Sequence, residues 1–187
     1  MTNVDLYSSI ETVREWIREA GSVAALTGAG ISTDSGIPDF RGPRGLWTKD
    51  PTAEKMATLD AYVSDPDVRR RSWKWRLETQ QNKREPNDGH RALVDLERAG
   101  HLDTLVTQNV DGLHQSAGSD PARVVEIHGT IQEVQCLDCE ERAPVERALA
   151  RVIAGEDDPS CRSCGGILKS ATISFGQGLV SRDLARA

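Results

Sequence analysis

Four cysteines form the clearest chemical pattern in this sequence of 187 residues. They occur as two CxxC pairs, Cys136 with Cys139 and Cys161 with Cys164. Each short loop can direct two thiolates at one ion, so two loops complete the tetrahedral four-sulfur shell of a structural zinc site. Two disulfides or two redox motifs would also fit the spacing. Because no secretion signal is recognisable, disulfides are disfavoured, and the pattern predicts one structural zinc.

Two polar segments are suited to binding a phosphate-containing ligand. The first begins with Gly28 and Gly30, which follow a predicted strand at 22–27, where a nucleotide-binding fold turns from strand to helix. Alone, this pair is equally compatible with a tight turn without a ligand, because Thr33 stands where the dinucleotide fingerprint has its third glycine. The second segment places Asn109 and Asp111 after a predicted strand at 103–107, where such residues are also common turn formers.

His128 is the candidate general base. It follows a third predicted strand at 124–127 and precedes Gly129. Open α/β sheets bind ligands at the carboxyl ends of their strands, and imidazole is the side chain most often used to move protons near neutral pH. The other histidines have structural interpretations: His101 is exposed after a helix, His90 lies in a first helical turn, and His114 braces the second polar segment.

The elements that must position these residues alternate between helices and strands. The patterns predict an amphipathic helix at 3–20, an ordered loop at 34–55, short irregular helices in 56–82, and a helix at 88–99 with Asn87 as its N-cap. A helix at 145–153 and a strand at 171–175 follow. Strands that alternate with helices favour an α/β fold with a parallel sheet.

We therefore expect a Rossmann-like, doubly wound parallel sheet with a small zinc-ribbon module. The predicted division is a Rossmann-like NAD-binding and catalytic domain at 1–132, a zinc-binding module at 133–168, and a return strand at 169–187. A module of this size cannot fold on apolar burial alone, so metal binding must supply much of its folding free energy.

Composition and charge exclude several classes of function. The net charge of −6 and the pI near 5.3 argue against a nucleic-acid-binding protein, which needs a basic face. No window approaches the roughly 20 apolar residues of a membrane span. With no targeting segment in the sequence, we expect a cytoplasmic protein that does not bind membranes.

Four sequence blocks together resemble one known family. The segment GAGISTDSGIPDFRGPRGLW begins at Gly28, TQNVDGLHQSAG begins at Thr107, the pair His128–Gly129 follows, and the two cysteine pairs come last. Their composition and order resemble the sirtuin (Sir2) family of NAD-dependent protein deacylases.

The resemblance implies an enzyme that consumes NAD as a co-substrate, transfers an acyl group from a protein or peptide lysine to ADP-ribose, and releases nicotinamide. It implies catalytic roles for His128 as the base and for Asn109, and a zinc ion bound by all four cysteines. Phe40 would shield the reactive sugar carbon. The implied NAD contacts are Gly28, Ala29, Gly30, Ser32, Asp39, Phe40, Arg41, Trp47, Gln108, Asn109, Val110 and Asp111.

Two other functions stay open at this point. One is mono-ADP-ribosyl transfer to a protein, and the other is a non-catalytic, zinc-containing fragment that binds a peptide at an edge strand, 173–175. Complete sirtuins continue beyond the position of Ala187, so we expect a C-terminally truncated chain with an incomplete sheet, and the activity of the chain alone stays open. The protein substrate, the acyl preference and the oligomeric state are not indicated.

Overall fold

The computed structural model describes residues 3–43, 45–50 and 57–187. The first part contains α1 (Asn3–Glu19), β1 (Val23–Thr27), a 3₁₀ helix (Ala29–Ser35), α2 (Leu46–Lys49), α3 (Leu59–Ser64), α4 (Pro66–Gln81), α5 (Asp88–Arg98), β2 (Leu102–Thr107), α6 (Leu113–Ala117) and β3 (Val124–Glu126). The second part contains β4 (Gly129–Cys136), β5 (Arg142–Pro144), α7 (Val145–Ile153), β6 (Leu168–Thr172) and α8 (Ser181–Arg186). Among the described residues, no helix combines the length and apolar character needed to cross a bilayer.

The first three strands form a parallel sheet in the order β1-β2-β3. In its register, Thr27 of β1 lies beside Thr107 of β2, which in turn lies beside Glu126 of β3. The carboxyl ends of the strands are therefore aligned. Because the glycine segment, the second polar segment and His128 all follow these ends, the topology brings the three candidate regions to one edge of the sheet.

Apolar packing around β2 stabilises this sheet. Leu102, Leu105 and Val124 form its buried core, and Leu93 and Leu96 of α5 pack against them. Helix α5 begins where the sequence predicted, because the Asn87 side chain accepts a hydrogen bond from the Gly89 backbone N–H. Such a cap satisfies a donor that the helix itself cannot pair.

The cysteine pairs belong to a second, antiparallel sheet in the order β5-β4-β6. Helix α7 covers it with Val145, Ala148 and Leu149, and the indole of Trp73, from α4, is fully buried in the same cluster. The core of the cysteine region therefore includes a side chain from a distant helix. The domain boundaries at 132 and 168 stay a prediction.

The prediction of short helices in 56–82 is right for α3, which has 6 residues, and wrong for α4, which is a single helix of 16 residues. Asp65 caps it by accepting a hydrogen bond from the Asp67 backbone N–H, and Pro66 occupies its first turn. Only Val68 and Trp73 are buried along it. Because two buried positions give almost no periodicity in an otherwise charged helix, the pattern did not reveal it.

Two further predictions need correction. The loop predicted at 34–55 contains the end of the 3₁₀ helix and the short helix α2, while residues 51–56 of it lie outside the described part. The strand predicted at 171–175 is β6, which begins earlier and pairs with β4 in the antiparallel sheet. Its start was hidden because Lys169 is buried, with its ammonium donating to the backbone oxygens of Ser170 and Thr172.

Candidate active site and metal site

The glycine segment leaves an open backbone turn directly after β1. Gly28 is extended, and the 3₁₀ helix starts at the next residue, Ala29. A side chain built at Gly28 or Gly30 would meet no described atom within 4 Å, so this surface has room for a ligand. Exposed backbone amides at such a turn can hydrogen-bond phosphate oxygens. The residues present therefore fit the pyrophosphate of a dinucleotide.

Ser32 joins this segment to the second polar segment. The Asn109 amide donates to the Gly28 carbonyl oxygen and to Ser32 Oγ, both at 3.1 Å. Ser32 Oγ in turn donates to an Asp111 carboxylate oxygen at 2.7 Å. The predicted site residues Ser32, Asn109 and Asp111 thus form one network, which fixes the orientation of the amide and the carboxylate.

His128 lies beside the second polar segment. Its Nδ1 is 3.0 Å from the backbone oxygen of Gln108. A carbonyl oxygen can only accept, so Nδ1 donates, and the neutral ring keeps its lone pair on Nε2. Nε2 is then the nitrogen that is free to take a proton. Val110, between Gln108 and Asp111, accepts a backbone hydrogen bond from Ile131 of β4 at 3.0 Å.

The remaining predicted contacts lie on a loop at 39–47 that closes on itself. The Asp39 carboxylate caps a turn within the loop, and the Trp47 backbone N–H donates to the Phe40 carbonyl oxygen at 3.0 Å. The rings of Phe40 and Trp47 have centroids 4.7 Å apart, and the Arg41 guanidinium lies 5.1 Å from the Trp47 ring centre. Residue 44 of this loop lies outside the described part.

Phe175 was not among the predicted site residues, yet its ring centroid is 5.4 Å from that of Trp47. Phe40 and Phe175 are both about half exposed, so the aromatic cluster presents an apolar surface. An aromatic residue shortly after β6 is the one signal of this contact in the sequence. The sequence could not show that this residue reaches a loop more than a hundred positions earlier in the chain.

The backbone of Phe175 is already paired. Its N–H donates to the Ala57 carbonyl oxygen, and its carbonyl oxygen accepts from the Leu59 N–H, both at 3.0 Å. This corrects the expectation of a free edge strand at 173–175, because the chain's own segment 57–59 occupies Phe175. A peptide that binds nearby must use other backbone groups.

Two titratable groups next to the site have unusual environments. Burial, together with the nearby Asp111 and Glu133 carboxylates, raises the pKa of Glu126 to about 7. Burial, together with the neighbouring His90, lowers the pKa of His114 to about 4. Sequence reasoning missed the first group, since a glutamate at the end of a strand carries no distinctive pattern.

The four cysteine sulfurs converge as the spacing predicted. Their Sγ atoms all lie within 4.8 Å of one another, with Cys136 and Cys164 3.5 Å apart and Cys139 and Cys161 3.7 Å apart. All four are free thiols at distances too long for disulfides. Zinc–sulfur bonds of about 2.3 Å in a tetrahedron place sulfurs about 3.8 Å apart, so the cluster is positioned to bind a structural zinc.

Comparison with known proteins identifies the family. The sequence model described as the Sir2 family matches residues 28–187, which include every predicted site residue. The chain belongs to the Sir2 family. The resemblance stated above is therefore confirmed. The roles of the individual site residues stay a prediction.

Curated relatives carry the names of deacylases. An NAD-dependent protein deacetylase of Streptomyces coelicolor is 55% identical over 157 residues, which cover 84% of this chain and 65% of the relative. An NAD-dependent protein deacetylase of Thermodesulfovibrio yellowstonii is 38% identical over 187 residues, covering 99% of this chain and 71% of the relative. The chain is thus shorter than these sirtuins and spans about two thirds of their length.

Solved sirtuin structures share the fold. A Sir2 protein described with a deacetylated p53 peptide and 3′-O-acetyl ADP-ribose has 33% identity and a TM-score of 0.81, covering 94% of this chain and 69% of that one. A structure described as addressing the mechanism and regulation of Sir2 enzymes has 38% identity and a TM-score of 0.80. These similarities confirm the Rossmann-like α/β fold.

Proposed function

We propose that this sirtuin chain is an NAD-dependent protein-lysine deacylase, with its substrate an acyl-lysine in a protein or peptide. One observation carries the proposal: His128, the Ser32–Asn109–Asp111 network and the open turn at Gly28 meet at one edge of the parallel sheet. The names of the relatives and the peptide in a neighbouring structure support the same activity.

The two polar segments bind and orient NAD in this proposal. The turn at Gly28, Ala29 and Gly30 holds the pyrophosphate through backbone amides. Asn109 and Asp111, locked by Ser32, orient the ribose and the nicotinamide end. When bound, NAD supplies the sugar carbon that receives the acyl oxygen once nicotinamide leaves. The loop at 39–47 covers that carbon with Phe40 and keeps water away.

His128 acts as the general base. With Nδ1 held by the Gln108 carbonyl oxygen, Nε2 accepts the proton of a ribose hydroxyl and so activates it for attack on the bound acyl group. The zinc takes no part in the reaction, because a shell of four cysteine sulfurs leaves no position for a catalytic water. Its role is to hold the antiparallel sheet together. The cytoplasmic location stays a prediction from the sequence.

Product analysis tests this function against its rivals. The 187-residue chain is incubated with NAD and an acetyl-lysine peptide, and all products are identified by mass. Deacylation consumes one water and yields the peptide with an unmodified lysine, nicotinamide and acetyl-ADP-ribose in equal amounts. An increase of one ADP-ribose in the mass of a protein or peptide would instead establish mono-ADP-ribosyl transfer. Peptide binding without turnover of NAD would establish the non-catalytic alternative.

A further inference from the structure

Two buried histidines lie in contact behind the strand end that carries the glycine turn. His90, on α5, is 0% exposed, and His114, on α6, is 1% exposed. Their ring centroids are 4.9 Å apart. Neither side chain belongs to the network of Ser32, and the roles proposed above do not use them.

The hydrogen bonds of the two rings restrict which ring nitrogens carry a proton. The Asn87 backbone N–H donates to His90 Nδ1 at 3.3 Å, so the neutral His90 ring carries its proton on Nε2. On the other ring, His114 Nε2 is 3.0 Å from the Thr27 hydroxyl. In the part of the chain that the structure describes, His90 Nε2 and His114 Nδ1 have no protein partner. If His114 carries its proton on Nε2, these two nitrogens are a complementary donor and acceptor.

Thr27, whose hydroxyl contacts His114, lies between the glycine turn and the second polar segment. Its carbonyl oxygen accepts a hydrogen bond from the Gln108 N–H at 3.0 Å. The carbonyl oxygen of the next residue, Gly28, accepts from the Asn109 amide at 3.1 Å. Both bonds between the end of β1 and the second polar segment therefore depend on how Thr27 and Gly28 are oriented.

We infer that His114, backed by His90, is a positioning residue that holds Thr27 and thereby sets the glycine turn in the geometry that binds the NAD pyrophosphate. This inference rests on the proposed function. It adds Thr27, His90 and His114 to the residues on which NAD affinity depends, although none of them touches the expected ligand position.

Burial keeps both rings neutral, as their accepting roles require. Burial lowers the pKa of both histidines, and His114 is further affected by His90. Asp111 raises both pKa values, while Arg91 lowers that of His90. The effect of burial exceeds that of the Asp111 carboxylate, so neither ring is charged at neutral pH.

NAD affinity, measured by calorimetry at pH 7.5, tests the positioning role. Thr27→Val removes the hydroxyl with little change of shape, and His114→Phe removes both ring nitrogens. We expect each variant to bind NAD about tenfold more weakly, which corresponds to about 1.4 kcal/mol. Because one bond is lost in either case, the double variant should be no weaker than the singles. Thr27→Ser, which keeps the hydroxyl, and His101→Phe, at a histidine outside the pair, should stay within about twofold of the parent chain.

Histidine NMR provides a second measurement that needs no NAD. In the parent chain, ¹⁵N shifts should show both rings with the proton on Nε2, and His114 should titrate below pH 5. Zinc content and circular dichroism verify that every variant is folded. A parent chain that fails to bind NAD would refute the proposed function, whereas the NMR result would still decide the arrangement of the pair. The inference is overturned if His114 titrates near its ordinary pKa, if its proton is on Nδ1, or if Thr27→Val binds NAD as tightly as the parent chain.

Discussion

The hydroxyl of Ser32 donates a 2.7 Å hydrogen bond to the carboxylate of Asp111, a residue 79 positions later in the chain. The same hydroxyl accepts from the Asn109 amide at 3.1 Å. Ser32 is almost fully buried, and its bond to Asn109 is shielded from water. This one side chain therefore fixes the glycine turn relative to the amide and the carboxylate that we assign to NAD orientation.

Replacing Ser32 by Ala should weaken both stability and NAD binding. The change leaves a buried Asn109 amide proton without its acceptor and one oxygen of the Asp111 carboxylate without its donor, which costs about 1–3 kcal/mol of unfolding free energy. Urea unfolding and calorimetric titration with NAD measure the two effects. Thr33→Ala is the matched control, because the Thr33 hydroxyl donates to the Gly30 carbonyl oxygen at the surface. Equal losses in both variants would show that Ser32 has no special role.

The pKa of Glu126, raised to about 7, predicts a pH-dependent difference in stability between the parent chain and Glu126→Gln. In the unfolded chain this carboxyl ionises near pH 4.5, whereas in the folded chain it stays protonated up to about pH 7. The folded state therefore loses stability relative to the unfolded state as the pH rises through this window, and the loss is complete above it. The amide cannot ionise, so the variant avoids the loss.

Relative to the parent chain, Glu126→Gln should gain about 1–3 kcal/mol between pH 4.5 and pH 8, an estimate reduced for the partial exposure of the side chain. Urea unfolding at several pH values measures the gain. Glu146→Gln serves as a control, since Glu146 is an exposed glutamate in the first turn of α7. A constant difference between Glu126→Gln and the parent across this pH range would argue that Glu126 ionises normally in the folded chain.

Zinc binding should be detectable by mass spectrometry and by the fluorescence of Trp73. We expect native mass spectrometry to find one zinc per chain, and changing any of the four cysteines to serine to abolish it, because each supplies one of four bonds. The Trp73 indole is buried in the cluster that also contains Cys136 and Cys161, so removal of the metal by a chelator should change tryptophan fluorescence. Trp73→Phe should lose most of that change. A chain that stays folded and keeps its fluorescence without zinc would contradict a structural role for the metal.

The parts of the fold that the sequence predicted well have strong local signals. Helix α7 occupies the predicted residues 145–153, with Val145, Ala148 and Leu149 on its buried face. Helix α5 combines an Asn87 cap with regularly spaced apolar residues. In both cases the information lies within about a dozen neighbouring residues, so periodicity was sufficient.

The parts that it missed depend on contacts between distant residues. Thr27 and His114 are 87 positions apart, and neither residue type shows by itself that the two side chains meet. Trp73 is buried by a sheet that begins at Gly129, so the charged sequence around it did not predict a long helix. The zinc ligands, by contrast, could be predicted from the sequence. A four-sulfur zinc shell needs four cysteines, and the chain has four, in two CxxC pairs.

His128, positioned by the Gln108 carbonyl oxygen, is the proposed base of an NAD-dependent deacylase. The most direct measurement compares the parent chain with His128→Ala in acetyl-ADP-ribose formation, with NAD affinity determined in parallel. A general base contributes about 10²–10⁴-fold to a rate, so we expect the variant to form product at less than about a hundredth of the parent rate. Its NAD affinity should stay within a few-fold of that of the parent. Product formation by the variant at a rate close to that of the parent would contradict the account.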